Sequence, residues 1–541
     1  MPSLLVLSQH YRPDEAGGAL RLAEMAEHMA AKDFQVEAWS SARSFHDPKA
    51  RYPLQQNLNG VSIWRVNRPP FRLDRPWGRA VAHSWTLLEW AWRILFQPAP
   101  DLVLLGSDPP FAHFLAPWIR LRWGKSRLLF ACRALYPEAW LAEAPLRRSF
   151  FRARLIRWVS RWPYSLFHGV VVPGSCVQER FAVQEEKTHS VAGAMKPPVA
   201  LKKPEGEDGA SQEGSGEERP VEPPKPPPDT RDGAERFAEG VLKVREKLSR
   251  IRIVTGRYPA RAVECIPPWA PIEPSGPVPV NEGEVQALLG VGASGRPLLC
   301  LMVAGTLGVP HRFRGFLDLS RAIRDQHHAL RTAREQINRP DEAAMGGLNA
   351  MGMGLAFAET RPPIGLIFGV RGSRVDELKA ALTPGDDHVR IVPSVPGVEL
   401  RRRLSAADVQ GVSLDPAFTG TLVPSRFLAA LAVGRPVVFE GHPDSSIARW
   451  IREFKLGWVL TDDNVAVVAA DLLAFAGDEK RKDDLMRHCH QVYQFRFAKK
   501  FGLARWEAML RAQGDSRFAP VGRRQLGISP VPEQSTVQGT R

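Results

Sequence analysis

The strongest constraint on the fold is a repeated succession of short strand-like segments, several of them continuous apolar runs closed by a polar or glycine turn. In the first third these are SLLVLS (3–8), QVEAWSS (35–41), VSIWRVN (61–67), DLVLLGS (101–107), SRLLFAC (126–132) and GVVVPGS (169–175), with segments of helical periodicity between most of them. Unbroken apolar runs mark strands covered on both faces, and strands alternating with helices mark a parallel sheet. A second series follows: PLLCLMVAGTLG (297–308), IGLIFGVRG (364–372), HVRIVPSV (388–395), DVQGVSL (408–414) and RPVVFEG (435–441). The pattern predicts an α/β protein with two Rossmann-like, doubly wound parallel-sheet domains. Open parallel sheets bind ligands at the carboxyl ends of their strands, so two such domains facing each other create one cleft.

Composition shifts mark the boundaries. Residues 196–233 are rich in Pro, Gly, Glu and Lys and nearly free of large apolar side chains, which predicts disorder. The expected organisation is an N-terminal domain over 1–183, a disordered insertion over 184–245, and the end of that domain with an interdomain crossing over 246–272. A C-terminal domain over 273–495 follows, interrupted by an inserted loop at about 325–363. A helix over 496–512 crosses back, and a flexible tail covers 513–541.

The formal net charge is +15, and residues 1–183 hold 24 Lys and Arg against 14 Asp and Glu, so the basicity is concentrated there. Such a surplus serves nucleic acid, anionic lipid or phosphorylated ligands, and no nucleic-acid-binding module accompanies it. Five widely spaced cysteines without a CxxC pair argue against a disulfide framework and a zinc site, and fit a reducing cytoplasm. His488, Cys489 and His490 are neighbours, but adjacent residues on a helix point in different directions and make no metal tripod. The start lacks the basic region of a signal peptide, and no apolar run is long enough to span a bilayer.

The motifs, taken in order, resemble the retaining glycosyltransferases of family 4, GT-B fold, and within them the branch of O-antigen, capsule and exopolysaccharide biosynthesis. SQHYRPDEAGGALRLAEMAEHMAAK is similar to that family's opening strand, double-glycine loop and first helix. GSDPPFAHFLAP, CRALYPEAW, VVVPGSCVQERF and VECIPPWAPIE resemble its later N-terminal motifs and crossing. VAGTLG, LIFGVRGSRVDELK, VRIVPSVPGVELRRRLSAADVQGVSL, TLVPSRFLAALAVGRPVV and FAKKFGLARWEAMLRA follow its order in the second half.

The resemblance implies transfer of a sugar, with retention of anomeric configuration, from a nucleotide-sugar donor to a lipid-linked or polysaccharide acceptor. The nucleotide sugar is then a substrate, and neither cofactor nor metal is implied. A departing diphosphate is stabilised by backbone amides at helix starts and by cations. Gly17 and Gly18 precede a helix and allow a close approach of ligand oxygens, or else only shape the turn. Gly305 and Thr306 lie where the family's phosphate-contacting loop falls. Arg312 or Arg314 is then a bidentate partner for the diphosphate or a solvated basic turn. Arg374 offers a second cation, and Val398 ends the stretch that covers the nucleobase. Gly420, Pro424, Ser425 and Arg426 form the next donor loop, in which Ser425 is placed to cap the following helix. Two acids of the family pattern are absent: Ala134 stands where it has aspartate and Ala429 where it has glutamate, with Thr421 at the partner position. Arg133 and Glu138 are the residues left to take over the catalytic role. The alternative is a catalytically inactive GT-B scaffold in exopolysaccharide assembly.

RRSFFRARLIRWVSRW (147–162) holds six arginines and no acid. Wound as a helix, it sets Phe151, Leu155, Trp158 and Trp162 on one side. Arg152, Arg154, Arg157 and Trp158 then suit an anionic membrane surface, the other reading being a core-facing helix with solvated arginines. HSWTLLEWAWRILF (83–96) adds a tryptophan-rich face. The expected location is the cytoplasm, peripheral on the inner face of the cytoplasmic membrane.

Overall fold

The computed structural model describes residues 1–14, 17–44, 50–69, 76–143, 150–183, 258–290, 295–337, 361–395 and 397–514. The expected disordered insertion, the middle of the expected loop at 325–363 and all but the first two residues of the expected tail lie outside the described residues.

The first sheet is built from β1 (Ser3–Leu7), β2 (Gln35–Ser41), β3 (Gln55–Leu58), β4 (Val61–Val66), β5 (Leu102–Gly106), β6 (Arg127–Ala131) and β7 (Gly169–Val172). β8 (Phe181–Val183) and β9 (Tyr258–Ala260) pair separately, and β10 (Val263–Cys265) completes the first sheet in the order β10-β7-β6-β5-β1-β2-β4-β3. Every pairing in it is parallel except β3 with β4. Leu4 pairs with both Val36 and Leu102, and Leu4 to Leu7 are all buried, as a central parallel strand requires.

Helices cover both faces of this sheet. On one side α1 (Gly17–Ala30) lays Leu22, Ala23, Met25, Ala26 and Met29 into the core. On the other, α2 (Pro76–Phe96), α3 (Ala116–Arg122), α4 (Glu138–Glu143) and α5 (Phe150–Ser165) enclose Trp39, Trp90, Trp123, Phe130 and Tyr164. Each such fully buried aromatic side chain contributes on the order of 1.5–3 kcal/mol. The short α6 (Ser175–Gln178) follows β7.

The second sheet is parallel throughout: β11 (Leu299–Thr306), β12 (Ile364–Arg371), β13 (Val389–Val392), β14 (Val409–Ser413), β15 (Val437–Glu440) and β16 (Gly457–Leu460), in the order β13-β12-β11-β14-β15-β16. Its helices include α7 (Arg314–Ile337), α8 (Arg426–Ala432) and α9 (Ser446–Phe454). The last helix, α10 (Lys499–Gly514), returns to the first lobe, where Leu503, Trp506 and Leu510 join the core beside α1.

In both sheets the chain winds outward one way, returns to the centre and winds out the other way. The reversal falls between β1 and β5 in the first sheet and between β11 and β14 in the second. These are the topological switch points where open α/β sheets leave a crevice. The observed fold is therefore the expected one, two Rossmann-like parallel-sheet lobes in the GT-B arrangement.

One boundary differs. α7 continues without a break through Ile337, so the first part of the expected loop is helical. RTAREQI carries helix formers and no Gly or Pro until Pro340, and nothing local stops the helix earlier.

Candidate functional site

A cavity of about 520 Å³ opens at both switch points. From the first lobe it is lined by His10, which follows β1, by Ser107 and Asp108, which follow β5, by Arg133, Ala134 and Tyr136, which follow β6, and by Gly18 and Arg21 of α1. The second lobe supplies Thr306 at the end of β11 and His311 beyond it, Arg371 at the end of β12, and Leu422 to Arg426 leading into α8. Trp269 of the crossing and Trp506 of α10 close it.

The two lobes meet beside the cavity through the backbone. Ala134 forms an isolated antiparallel bridge with Leu422, and the amide of Leu135 donates to the carbonyl of Thr421 at 2.8 Å. The Ser107 hydroxyl receives the amides of Arg133 and Ala134 at 3.0 and 3.2 Å, which holds this loop to β5. The loops carrying CRALYPEAW and TLVPSR thus form one floor.

Two glycines let arginines lie flat on the backbone. A methyl group on Gly18 would fall 1.5 Å from Cζ of Arg133, so the guanidinium of Arg133 rests directly on the start of α1. Gly305 has φ +109°, a conformation that favours glycine, and a methyl there would meet Nε of Arg426 at 2.7 Å. Arg426 also donates to the Thr306 carbonyl. Burial, and then the charge of Arg371, lower Arg426 to about 10. Burial, and then Arg133, lower Arg21 to about 10. Both remain cations at neutral pH, and each lobe presents a pair of guanidinium groups that repel one another.

A carboxylate chain sits at the first-lobe edge. His10 Nδ1 lies 2.9 Å from Asp14, and its Nε2 lies 3.8 Å from Asp108. Burial lowers His311 to about 3, leaving it neutral. Among the described residues no group of three or more His, Cys, Asp or Glu side chains is placed to hold a metal ion. Of the neighbours in sequence, His490 is buried with Nδ1 2.8 Å from the Ala432 carbonyl, and His488 Nε2 contacts the Phe454 carbonyl.

Of the residues singled out in the sequence, Gly18, Arg133, Thr306, Pro424, Ser425 and Arg426 line the cavity, and Gly305 supports it. Gly17 opens α1. Val398 lies in a short 3-10 turn, Gly397–Glu399.

Several assignments need correction. Glu138 is not at the cavity: its carboxylate is buried, held by Arg157 through 2.8 and 3.0 Å bonds and by the Tyr258 hydroxyl at 3.0 Å. Arg157 is accordingly a framework residue and not a surface cation. Arg312 pairs with Glu440 at 3.2 Å and Asp462 at 3.3 Å. Burial raises that Glu440 carboxyl to about 7, against the opposing pull of Arg312. Arg374 is taken up by Glu377, by the carbonyl of His311 and by the ring of Phe313. Arg314 is exposed at the start of α7 and is not among the cavity-lining residues.

Gly420, at φ +76°, packs against Arg180 and the Cys176 carbonyl at the lobe contact. Ser425 makes no side-chain cap, because its backbone is already helical, with φ −72° and ψ −11°. Ala429 is buried in an apolar cluster with Val285, Leu289, Cys300 and Met302, and Thr421 is buried with its hydroxyl on the Phe418 carbonyl at 2.7 Å.

Sequence reasoning missed His10, Arg21, Asp108, Arg371 and Trp506. A usable signal existed for two of them: His10 and Asp108 lie in the loops that follow the central strands flanking a switch point.

The fold and this cavity define a GT-B protein. The chain is similar to the sucrose-phosphate synthase of Thermosynechococcus elongatus, with a TM-score of 0.57, 12% identity, and coverage of 94% of this chain and 98% of that one. It also matches the HepE protein of Anabaena in complex with UDP-glucose, at TM-score 0.48 and 11% identity, over 95% of this chain and 100% of that one. A third match is an alpha,alpha-trehalose-phosphate synthase (UDP-forming) of Burkholderia vietnamiensis, at TM-score 0.47 and 11% identity, over 95% and 100% of the two chains. No protein-family model and no curated protein matches the sequence.

Proposed function

We propose that this protein is a glycosyltransferase that takes a sugar from a nucleotide-sugar donor, and that the cavity holds the donor's diphosphate. The observation that carries the reading is the convergence of guanidinium groups and glycine-backed loops at both switch points. In this reading Arg426 and Arg371 face the diphosphate as the sugar–oxygen bond breaks, since preorganised cations in a sheltered site act where charge develops. Arg133, with the amides of the loop it begins, lies on the opposite wall beside the sugar and acceptor. The motif order supports membership of family 4, retention, and a polysaccharide-building role with a lipid-linked or glycan acceptor. Ala134 and Ala429 favour a second reading, a nucleotide-sugar-binding scaffold without turnover.

The two readings separate in one experiment. Thermal stabilisation by a panel of nucleoside diphosphates and nucleotide sugars is expected, followed by transfer from at least one donor. Stabilisation without transfer supports the scaffold, and no stabilisation by any nucleotide contradicts both.

The same reading places the first lobe on an anionic bilayer at the inner face of the cytoplasmic membrane. Trp77, Val81, Trp85, Leu88, Trp92 and Phe96 recur every three or four residues along α2, and all are exposed. On α5 the side with Phe151, Leu155, Trp158 and Trp162 also faces outward, with Phe151 77% and Trp158 68% exposed, while Ala153, Ser160 and Tyr164 of the same helix face the core. α3 packs against both helices. Arg79, Arg152, Arg154 and Arg161 are exposed on these same helices, and α5 carries no acid, a charge pattern complementary to acidic headgroups. No helix among the described residues is long and apolar enough to cross a membrane. Replacing Trp85, Trp92 and Trp158 by Ser is expected to reduce co-sedimentation with phosphatidylglycerol vesicles about tenfold or more, and unchanged sedimentation contradicts the docking face.

A further inference from the structure

The loop that leads into α8 belongs to the second lobe and is held from the first. Its last residues, Leu422 to Arg426, line the cavity, and Arg426 is the cation that lies on Gly305. Just before them, the hydrogen bonds that Thr419 and Thr421 make within their own lobe are short turns. They run to the Pro416 carbonyl at 3.2 Å and to the Phe418 carbonyl at 3.0 and 2.7 Å. Further ties come from the first lobe. Ala134 bridges Leu422, the Leu135 amide donates to the Thr421 carbonyl at 2.8 Å, and Nη2 of Arg180 donates to the Thr419 carbonyl at 2.6 Å.

Arg180 is the side chain among these ties. Its guanidinium stands on Gly420, where φ is +76° and a methyl group would fall 2.4 Å from Nε and 3.0 Å from Nη2. Among the described residues Arg180 pairs with no carboxylate, so its charge is directed at the Thr419 carbonyl and not at a counter-ion. Its backbone is fixed within the first lobe. The Arg180 amide donates to the Val177 carbonyl of α6 at 3.0 Å, and the Tyr258 amide of β9 donates to the Arg180 carbonyl at 2.7 Å. Neighbouring residues brace the same junction elsewhere: Glu179 pairs with Arg449 of α9, and the Cys176 amide donates to the Ser446 hydroxyl at 3.0 Å.

We infer that Arg180 is a positioning residue for the donor site: from the first lobe, through the Thr419 carbonyl and the space over Gly420, it sets the path of the loop that delivers Arg426 to the cavity. The inference rests on reading that cavity as the donor-diphosphate site, and Arg180 itself is not among the cavity-lining residues. A hydrogen bond from a charged donor holds a carbonyl more firmly than a neutral one does. A loop already held in its bound path loses less affinity to ordering when the ligand arrives. Gly420 gains a role in the same way, because a side chain there displaces the guanidinium from the loop it holds.

Two measurements on the full chain test it, and one needs no nucleotide. In hydrogen–deuterium exchange without ligand, Arg180→Gln is expected to speed exchange of the peptide spanning Thr419 to Phe427 about fivefold or more. In titrations with UDP-glucose and GDP-mannose, the same variant is expected to weaken the nucleotide sugar that binds about fivefold. Arg180→Lys, which keeps a charged donor for the Thr419 carbonyl, is expected to recover most of both losses. Arg449→Gln loosens the same junction without touching this loop, and both readouts are expected to stay within about twofold of the wild type.

Unchanged exchange in Arg180→Gln overturns the inference. An equal effect of Arg449→Gln also overturns it, because Arg180 is then one more tie between the lobes. Faster exchange with unchanged affinity separates the loop from the donor and overturns the positioning role. Failure of both nucleotide sugars to bind the wild-type chain counts against the donor reading instead, and the exchange result then decides the hold of Arg180 on the loop.

Discussion

Arg426→Gln is expected to raise the dissociation constant for a nucleoside diphosphate by about ten- to hundredfold, because a hydrogen bond to a charged group contributes about 1.5–3 kcal/mol. Two features make Arg426 the cation with the largest effect. It lies on Gly305 at the end of β11, the central strand of its sheet, and it is tied to the Thr306 carbonyl, so its position is preorganised. It is also repelled by Arg371, a tension that a bound diphosphate relieves. Arg426→Lys keeps the charge and loses the planar fork, and an intermediate weakening is expected. Isothermal titration measures both variants, and an unchanged constant in Arg426→Gln removes Arg426 from the donor site.

The largest effect on stability is expected at Glu138. Glu138→Ala leaves Arg157 and the Tyr258 hydroxyl without their shared acceptor between α4, α5 and β9. Breaking a buried ion pair from one side costs about 3–5 kcal/mol, and because Arg157 remains 28% exposed the expected loss is near the lower figure, about 3 kcal/mol. Glu138→Gln keeps an acceptor and loses less. Urea denaturation followed by tryptophan fluorescence reads the change, and nucleotide affinity in Glu138→Gln is expected to stay within about twofold. Wild-type stability combined with lost sugar transfer would return Glu138 to the chemistry.

How far the molecule can be read in advance follows from how locally each feature is encoded. Central strands such as SLLVLS and DLVLLGS are buried on both faces, and their apolar character is visible without knowing any partner. β3, with the sequence QQNL, carries no such mark. It exists because its register, Gln55 opposite Trp64, completes an edge, and edge strands draw on their neighbour more than on their own side chains.

The site divides in the same way. Glycines beside Arg426 and Arg133 stand out as loop signals, whereas Arg21 is one residue inside an ordinary helix and Arg371 is the last residue of a strand. Their place at the cavity arises only from the tertiary fold. Glu138 is not legible from sequence because its partners lie 19 and 120 residues away, and a carboxylate satisfied by distant groups looks, in sequence, the same as one facing a substrate. The failed Ser425 cap has a backbone cause, since an N-cap needs an extended conformation that this residue does not adopt.

Hydrogen–deuterium exchange of the full chain with and without a saturating nucleoside diphosphate tests the central claim most directly. The account predicts protection concentrated in the peptides spanning Gly305 to His311 and Thr421 to Ala430, the loops that begin or end at the cavity's second-lobe wall. Protection confined to another surface, such as the groove formed by Lys455, Trp458 and Arg481, would contradict it, as would exchange unchanged by every nucleotide in the panel.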